Sequence, residues 1–275
     1  MSTETTTDLP VFDHRPGAGP ALVHLHYWGG SSRTWQPVID QLGERESVSI
    51  DFRGWSRSRH LPGPFDLHRL ARDTADVIDR LALSEYVLVG HSMGGKVAQL
   101  VAATRPRGLL GLVLVAPGPA KPAAELTPEY QAGLAHAYDS AESAAGARDA
   151  VLTATTLPAH LKDQVVTDSL ASSAEARTEW PLHGIAEDIT AQTVRIDVPT
   201  LVVAGEHDHV EPVSALQENL LPYLRNADLT VIPRTGHLIP LEATEELAQA
   251  ITAFTARPHH PGAGAAAPRA HNSMR

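Results

Sequence analysis

The chain has 275 residues, 43% of them hydrophobic and 20% charged, which fits one large α/β domain with a sizeable core, or such a domain with an inserted lid. With 22 Lys and Arg against 32 Asp and Glu, the formal net charge is −10, which argues against nucleic acid as a partner and favours a small molecule. The absence of cysteine excludes disulfides, thiolate metal sites and a cysteine nucleophile.

The two ends of the chain carry no targeting signal that we can identify. The first ten residues, MSTETTTDLP, are polar and acidic, so a cytoplasmic location is expected. No window approaches the roughly 20 apolar residues of a membrane-spanning helix, so no membrane partner is expected. Residues 257–275 are rich in Pro, Gly and Ala, which predicts a disordered tail. The oligomeric state is left open.

The first half of the chain alternates between strand and helix patterns. Short apolar runs at 21–25 (ALVHL) and 48–52 (VSIDF) predict strands that end in glycine-containing loops. Apolar residues at helical spacing predict helices over 33–42 and 66–83. A run at 86–89 (YVLV) then turns at a group of glycines into another helical pattern.

Three further runs predict buried strands: LLGLVLV, TLVVA and LTVI, at 109–115, 200–204 and 229–232. Strands that alternate with helices imply right-handed crossovers. The predicted fold class is therefore α/β, with a mostly parallel, twisted sheet and helices on both faces.

The alternation breaks over about 119–199, which contains four Ala-rich helical patterns and no convincing strand. Such a segment is too long for an ordinary connection in a compact domain. We therefore predict a helical cap over 119–193, inserted into a core that comprises 11–118 and 194–256.

The strongest chemical signal is Gly90-His91-Ser92-Met93-Gly94, a G-x-S-x-G pattern between a predicted strand and a predicted helix. The chain must reverse within a few residues there, which places Ser92 in a strained conformation with its hydroxyl raised above the sheet. Ser92 is the candidate nucleophile. The N–H of Met93, at the start of the helix, is a candidate donor to an oxyanion.

The runs VLVGHSMGGKVAQLVA, HYWGGSSRTW, AGEHDHVEP and RTGHLIPLEATEELAQAI resemble, in that order, the motifs of the α/β-hydrolase superfamily with a helical cap. In that superfamily the nucleophile is followed along the chain by an acid and then by a histidine. The resemblance, over about 11–254, implies a triad of Ser92, Asp208 and His237, with no cofactor and no metal. Glu206 and Glu211 remain alternative acids.

General chemistry agrees with this assignment. A serine hydroxyl needs a neutral imidazole to take its proton, and the imidazole needs a carboxylate to fix its tautomer. Asp208 and His237 follow successive predicted strands, whose ends lie on the same sheet edge as Ser92. His207 and His209 flank Asp208 and are interpreted as surface or pocket-wall residues rather than metal ligands.

The loop after the first predicted strand reads His26-Tyr27-Trp28-Gly29-Gly30. The resemblance implies the N–H of Trp28 as the second oxyanion donor, with Tyr27 in a place where the family usually has glycine. If that glycine serves a positive φ, Tyr27 would be strained. Tyr27 is also a candidate substrate contact.

Within the predicted cap, the candidate substrate-binding residues are Tyr138, Trp180 and His183. Mostly apolar cap residues around them suit a moderately hydrophobic small molecule. The segment DFRGWSRS at 51–58 resembles a family loop that we interpret as an Asp and Arg network bracing the site.

A serine at the turn argues against dehalogenase and epoxide-hydrolase chemistry, which in this fold uses an aspartate nucleophile. The resemblance implies a serine hydrolase that cleaves an ester, a lactone or a related acyl bond through an acyl-enzyme. Two alternatives stay open: a cofactor-independent dioxygenase or perhydrolase that uses the same His and Asp, and a non-catalytic receptor for a small molecule.

Overall fold

The computed structural model describes residues 8–124 and 126–257. Seven strands form one sheet: β1 (Phe12–Arg15), β2 (Ala18–Leu25), β3 (Arg45–Ile50), β4 (Tyr86–His91), β5 (Leu109–Val115), β6 (Thr200–Gly205) and β7 (Ala227–Ile232). Their order across the sheet is β1-β3-β2-β4-β5-β6-β7. All neighbours pair in parallel except β1 and β3, which are antiparallel. The predicted fold class is confirmed.

The six predicted strands are all present, with ends that differ from the predicted ends by a few residues at most. The strand that the sequence did not predict is β1, whose sequence FDHR is mostly polar and exposed. A strand at the sheet edge pairs on one side only and needs no apolar run, so it gives no periodic signal.

Helices cover both faces of the sheet and form the inserted region. They are α1 (Gln36–Gln41), α2 (Leu67–Arg80), α3 (Met93–Ala103), α4 (Pro128–Leu134), α5 (Ala141–Ala147), α6 (Ala159–Ser169), α7 (Ala174–Leu182), α8 (Thr190–Thr193), α9 (Val213–Asn219), α10 (Ile239–Glu242) and α11 (Thr244–Thr255). Four single 3₁₀ turns lie at Ser32–Trp35, Ser56–Ser58, Gly184–Ala186 and Leu221–Tyr223, and a π-helical turn at Arg148–Leu152 follows α5.

The long predicted helix at 66–83 is present as α2. It begins at Asp66, whose side chain accepts a hydrogen bond from the N–H of Arg69 at 2.7 Å. Its residues Leu70, Val77 and others pack with α3 against one face of the sheet. Helices α1 and α11 cover the opposite face.

The central strand β4 shows how both faces become buried. Leu88 belongs to the core under α2 and α3, whereas its neighbours Val87 and Val89 belong to the core under α1 and α11. Side chains of a strand alternate between faces, so a continuous apolar run fits a sheet covered on both sides. The carboxyl ends of the parallel strands point to one edge, where the site lies.

Residues 119–193, the inserted segment, contain α4 to α8 and no strand among the residues that the structure describes. Several contacts hold this segment to the sheet. Asp168 pairs with Arg33 and accepts a hydrogen bond from Ser31 at 2.9 Å. One backbone hydrogen bond runs from the N–H of Ser56 to the carbonyl oxygen of Ala171, at 2.8 Å. The exact limits of a cap domain stay a prediction.

The predicted tail lies outside the described residues apart from Arg257, which pairs with Asp228 at 2.5 Å. None of the helices within the two described ranges is long and apolar enough to cross a membrane.

Candidate active site

Ser92 lies at the sharp turn between β4 and α3. Its φ of 53° and ψ of −116° place a non-glycine residue in a sparsely populated region. A Cβ on Gly90 would lie 2.4 Å from the carbonyl oxygen of Gly94, and a Cβ on Gly94 would lie 2.5 Å from that of Leu25. The turn therefore has room for glycine alone at both positions, as the G-x-S-x-G pattern predicts.

Asp208 and His237 follow β6 and β7, and their side chains meet. Asp208 Oδ2 lies 2.8 Å from His237 Nδ1, and both residues are buried. The other oxygen, Oδ1, accepts the N–H groups of Val210 at 2.8 Å and Glu211 at 3.0 Å. Burial raises the pKa of Asp208, but the charge and hydrogen bond of His237 and the two amide bonds together lower that pKa below its usual value. The carboxylate is therefore ionised.

An ionised Asp208 accepts a hydrogen bond from the Nδ1–H of His237, which leaves Nε2 as the nitrogen that can take a proton. Ser92 and His237 line the same cavity. Within the described residues, their side chains do not form a hydrogen bond with each other. Bonds of this kind are often long without a substrate and tighten when one binds, so the arrangement suits a nucleophile and its base.

The two alternative acids lie elsewhere. Glu206 is largely exposed and accepts the backbone N–H of Arg234 at 2.8 Å. Glu211 is buried and lines the cavity, but its carboxyl does not bond His237 within the described part of the chain. Of the three acids considered from the sequence, Asp208 is the one that contacts the imidazole.

The backbone of His237 is fixed by the inserted segment. The carbonyl oxygen of Leu152, at the end of the π-helical turn, accepts the N–H groups of His237 at 2.9 Å and Leu238 at 3.0 Å. On the other side, His91 lies 2.8 Å from the carbonyl oxygen of His237 through its Nε2. His91 is fully buried, and this bond, in addition to packing, is its contribution to the turn.

The two candidate oxyanion donors have amides that donate to nothing else in residues 8–124 and 126–257. Met93 is the first residue of α3, where amides have no partner within the helix. Two hydrogen bonds hold Trp28 in place. Its carbonyl oxygen accepts the indole N–H of Trp55 at 2.6 Å, and its own indole N–H donates to the carbonyl oxygen of Arg177 at 2.8 Å.

The loop around Trp28 is supported by a buried histidine. His26 Nε2 accepts the N–H of Phe52 at 3.1 Å, so Nδ1 donates to the carbonyl oxygen of Tyr27 at 2.6 Å. Burial lowers the pKa of His26 to about 4, and the bond to Tyr27 opposes that shift. Tyr27 does not have a positive φ, so the strain considered from the sequence is not found there.

The predicted bracing network around 51–58 is present. Asp51 accepts the N–H of Ser32 at 2.7 Å and pairs with Arg57 at 2.5 Å. Arg53 pairs with Asp73 at 2.7 Å, and both side chains are buried. The bond between Ser32 and Asp51 joins the loop after β2, which carries Trp28, to the end of β3, and the Arg53–Asp73 pair joins the segment after β3 to α2.

The cavity beside Ser92 has a volume of about 390 Å³ and mostly apolar walls. Of the predicted substrate contacts, Tyr27, Tyr138 and Trp180 line it. His183 does not line it: it is exposed where α7 ends, because the chain turns away at that point. The other walls are formed by Trp28, Tyr130, Gly133, Leu134, Ala137, Ala147, Val151, Leu152, Ile185, Val210 and Glu211.

Sequence reasoning considered Glu211 only as an alternative acid and missed it as a wall of the cavity. Its place in the loop after β6, three residues beyond Asp208, is the signal that could have indicated this. Among the described residues, no cluster of three or more His, Asp or Glu is arranged to hold a metal ion.

The fold and these residues together define a class of α/β protein with a serine on a strand-to-helix turn and a histidine–carboxylate pair beside it. A family model described as "Alpha/beta hydrolase family" matches residues 22–250. The chain belongs to the alpha/beta hydrolase family.

The chain is similar to an esterase and to a haloperoxidase. A pimeloyl-[acyl-carrier protein] methyl ester esterase of Pseudoalteromonas atlantica is 40% identical over 105 residues, which is 38% of this chain and 39% of that protein. The chain thus matches well under two thirds of the length of that relative. A non-heme haloperoxidase of Rhodococcus erythropolis is 28% identical, covering 80% of this chain and 86% of that protein.

The fold is shared with solved structures. An esterase from Exiguobacterium antarcticum superposes with a TM-score of 0.81 at 21% identity, covering 89% of this chain and 94% of that one. At 21% identity, this similarity supports a shared fold and carries no conclusion about function.

Proposed function

We propose that the protein is a serine hydrolase that cleaves a carboxylic ester, a lactone or a related acyl bond of a small, fairly apolar molecule. The observation that carries this proposal is the buried Asp208–His237 pair beside Ser92, which sits on a strained turn at the wall of an apolar cavity. Membership of the alpha/beta hydrolase family supports the general class of reaction. No bound cofactor is needed for it.

The proposed reaction has two halves. His237 Nε2 takes the proton of Ser92 as the hydroxyl oxygen attacks the acyl carbon, and the amides of Met93 and Trp28 stabilise the oxyanion. The intermediate collapses, the C–O bond breaks, and the leaving alcohol receives the proton from His237. Water then attacks the acyl-enzyme with His237 as base, which releases the acid and restores Ser92.

The cavity supports the proposed substrate class. A volume of about 390 Å³ with aromatic and aliphatic walls suits a small apolar acyl group. The negative net charge and the few basic residues near the site fit a neutral or cationic substrate, with no nucleic acid partner. A cytoplasmic location belongs to the same proposal.

The experiment that tests this proposal is mass spectrometry after treatment with a fluorophosphonate probe, which labels an activated serine without the natural substrate. We expect the label on Ser92 in the wild type and no label in Ser92→Ala. Hydrolysis of p-nitrophenyl acetate and butyrate should disappear, to within the uncatalysed rate, in both Ser92→Ala and His237→Ala.

The two alternatives predict other outcomes. Full turnover in Ser92→Ala, with loss in His237→Ala, would overturn the acyl-enzyme and favour a reaction that uses the His and Asp alone. An absence of both labelling and hydrolysis in the wild type would favour a receptor.

A further inference from the structure

A second cavity, of about 410 Å³, adjoins the cavity beside Ser92. The two share four wall residues: Tyr130, Ile185, Val210 and Glu211. Residues of the inserted segment and of α9 line the second cavity, whereas Ser92 and His237 line the first. A substrate that reached from Ser92 into the second cavity would lie against these shared residues, and Glu211 is the acidic one among them.

Glu211 is a buried carboxyl at the junction of the two cavities. It is 7% exposed. In the described part of the chain, its carboxyl has neither a hydrogen bond nor an ion pair. An ionised carboxylate is costly to bury without a partner, whereas a neutral acid or an ion pair is tolerated. A positively charged ligand in the cavity can therefore supply the partner that an ionised Glu211 lacks.

The charged and titratable groups around Glu211 are Asp208, Lys96 and Tyr130. Burial, and then the charge of Asp208, raise the pKa of Glu211 well above its usual value, and Lys96 opposes them. Lys96 donates to the carbonyl oxygens of Gly184 at 3.1 Å and Ile185 at 3.4 Å and so is engaged elsewhere. The carboxyl of Glu211 is therefore left without an ion-pair partner among the described residues.

The walls of the second cavity favour a positive ligand. Its ionisable wall residues include Glu211 and the exposed Glu218, and no Lys, Arg or His in the described ranges lines it. Asn219 and Ser214 add polar groups, and the ring of Tyr130 offers a face that attracts cations.

We infer that Glu211 is a specificity-determining residue that binds a cationic ammonium group on the substrate, while the bond to be cleaved lies at Ser92. This inference rests on the proposed hydrolase function and narrows its substrates to esters or lactones that carry a positively charged nitrogen. An ammonium group in the cavity supplies the ion-pair partner that Glu211 lacks in the described part of the chain, and its charge favours the ionised carboxylate.

The kinetic test uses two series of p-nitrophenyl esters whose acyl chains have four to eight carbons. One series ends in a trimethylammonium group, and the other ends in a neutral tert-butyl group of the same shape. The quaternary nitrogen has no lone pair, so it cannot attack the ester carbonyl and form a ring. We expect the wild type to favour the cationic ester of the best chain length by about tenfold or more in kcat/KM, which corresponds to 1.4 kcal/mol. In Glu211→Gln, the ratio of the two kcat/KM values should fall towards one.

Glu129→Gln is the matched control, since it removes the same charge from an exposed position of α4 that lines neither cavity. The ratio should stay at its wild-type value in that variant. Equal kcat/KM for the two esters in the wild type, or an unchanged ratio in Glu211→Gln, would overturn the inference.

A binding test keeps this inference separate from the hydrolase proposal. Calorimetry with the hexyltrimethylammonium ion should show binding to the wild type and binding about tenfold or more weaker to Glu211→Gln. Ester hydrolysis without such binding would reject the role of Glu211 alone. Binding without hydrolysis or Ser92 labelling would reject the hydrolase proposal alone.

Discussion

Asp208 uses both of its carboxylate oxygens, one for the imidazole of His237 and one for two backbone amides. The amides fix the orientation of the carboxylate, so its second oxygen is aimed at Nδ1. Because amide bonds and the charge of His237 also hold its pKa below the usual value, Asp208 stays ionised throughout the neutral and mildly acidic range.

Asp208→Asn should lower kcat for ester hydrolysis by about 10³- to 10⁴-fold, because an amide holds the imidazole in the wrong tautomer. The urea midpoint of unfolding should change little in comparison. Glu206→Gln is the matched control, since among the described residues the carboxylate of Glu206 accepts the backbone N–H of Arg234 and lies 3.8 Å from the ring of His207. The kcat of this variant should stay within about twofold of the wild-type value. Near-normal kcat in Asp208→Asn would transfer the acid role to another carboxylate.

At the scale of elements, the turn between β4 and α3 has no room for a side chain at Gly90 or Gly94. Gly94 packs against the carbonyl oxygens of Leu25 and His26, which lie 2.5 Å and 2.6 Å from the position of an added Cβ. Helix α3 can therefore approach β2 only with glycine there, so the start of the helix, which carries Met93, lies against the end of the strand that leads to Trp28.

Gly94→Ala should lower the free energy of unfolding by about 1–3 kcal/mol or more, because backbone atoms cannot move aside easily. The opposite result is expected for Gly146→Ala in α5, where an added Cβ meets nothing within 4 Å. That change should raise the free energy of unfolding by about 0.5–1 kcal/mol through helix propensity. Urea denaturation of both variants measures the difference, and equal effects would contradict this account of the turn.

Whether the sequence predicts a strand or helix depends on how much of that element is buried. Strands inside the sheet, such as β5, are continuous apolar runs and were predicted almost residue by residue, whereas the polar edge strand β1 was not. The pattern around Ser92 predicted the turn, because its glycines are required locally. Contacts distant in sequence, such as those of Leu152 with His237 or of Glu211 with two cavities, depend on how elements pack and give no periodic signal.

At the scale of the whole molecule, several buried histidines lie in the core. Burial lowers the pKa of His24 to about 3 and that of His26 to about 4, and it also lowers that of His91. The unfolded chain, with ordinary values near 6.5, binds more protons below that pH, so the free energy of unfolding should fall as the pH falls. Glu211 acts in the opposite direction, because its pKa is raised.

His24→Leu should reduce this pH dependence. Within the described ranges neither ring nitrogen of His24 has a hydrogen-bond partner, and the ring packs 5.0 Å from that of Trp35. One such histidine accounts for about 2 kcal/mol of lost stability between pH 7.5 and 5.0. Urea denaturation at the two pH values should show a smaller loss in His24→Leu, and a loss equal to the wild type in the exposed-site control His60→Leu. Equal losses in all three proteins would rule out His24 as a source.

The carbonyl oxygen of Leu152 accepts the amide N–H groups of both His237 and Leu238. This contact limits which inserted segments can be exchanged between family members. The proposed base is held by a backbone group of the inserted segment, so the segment is a structural part of the reaction centre as well as a wall. A chimaera that receives the helices of another family member must supply an equivalent carbonyl at that point. Grafting a whole segment to change the substrate preference would therefore risk displacing His237. Single substitutions along the cavity walls leave the backbone of His237 in place.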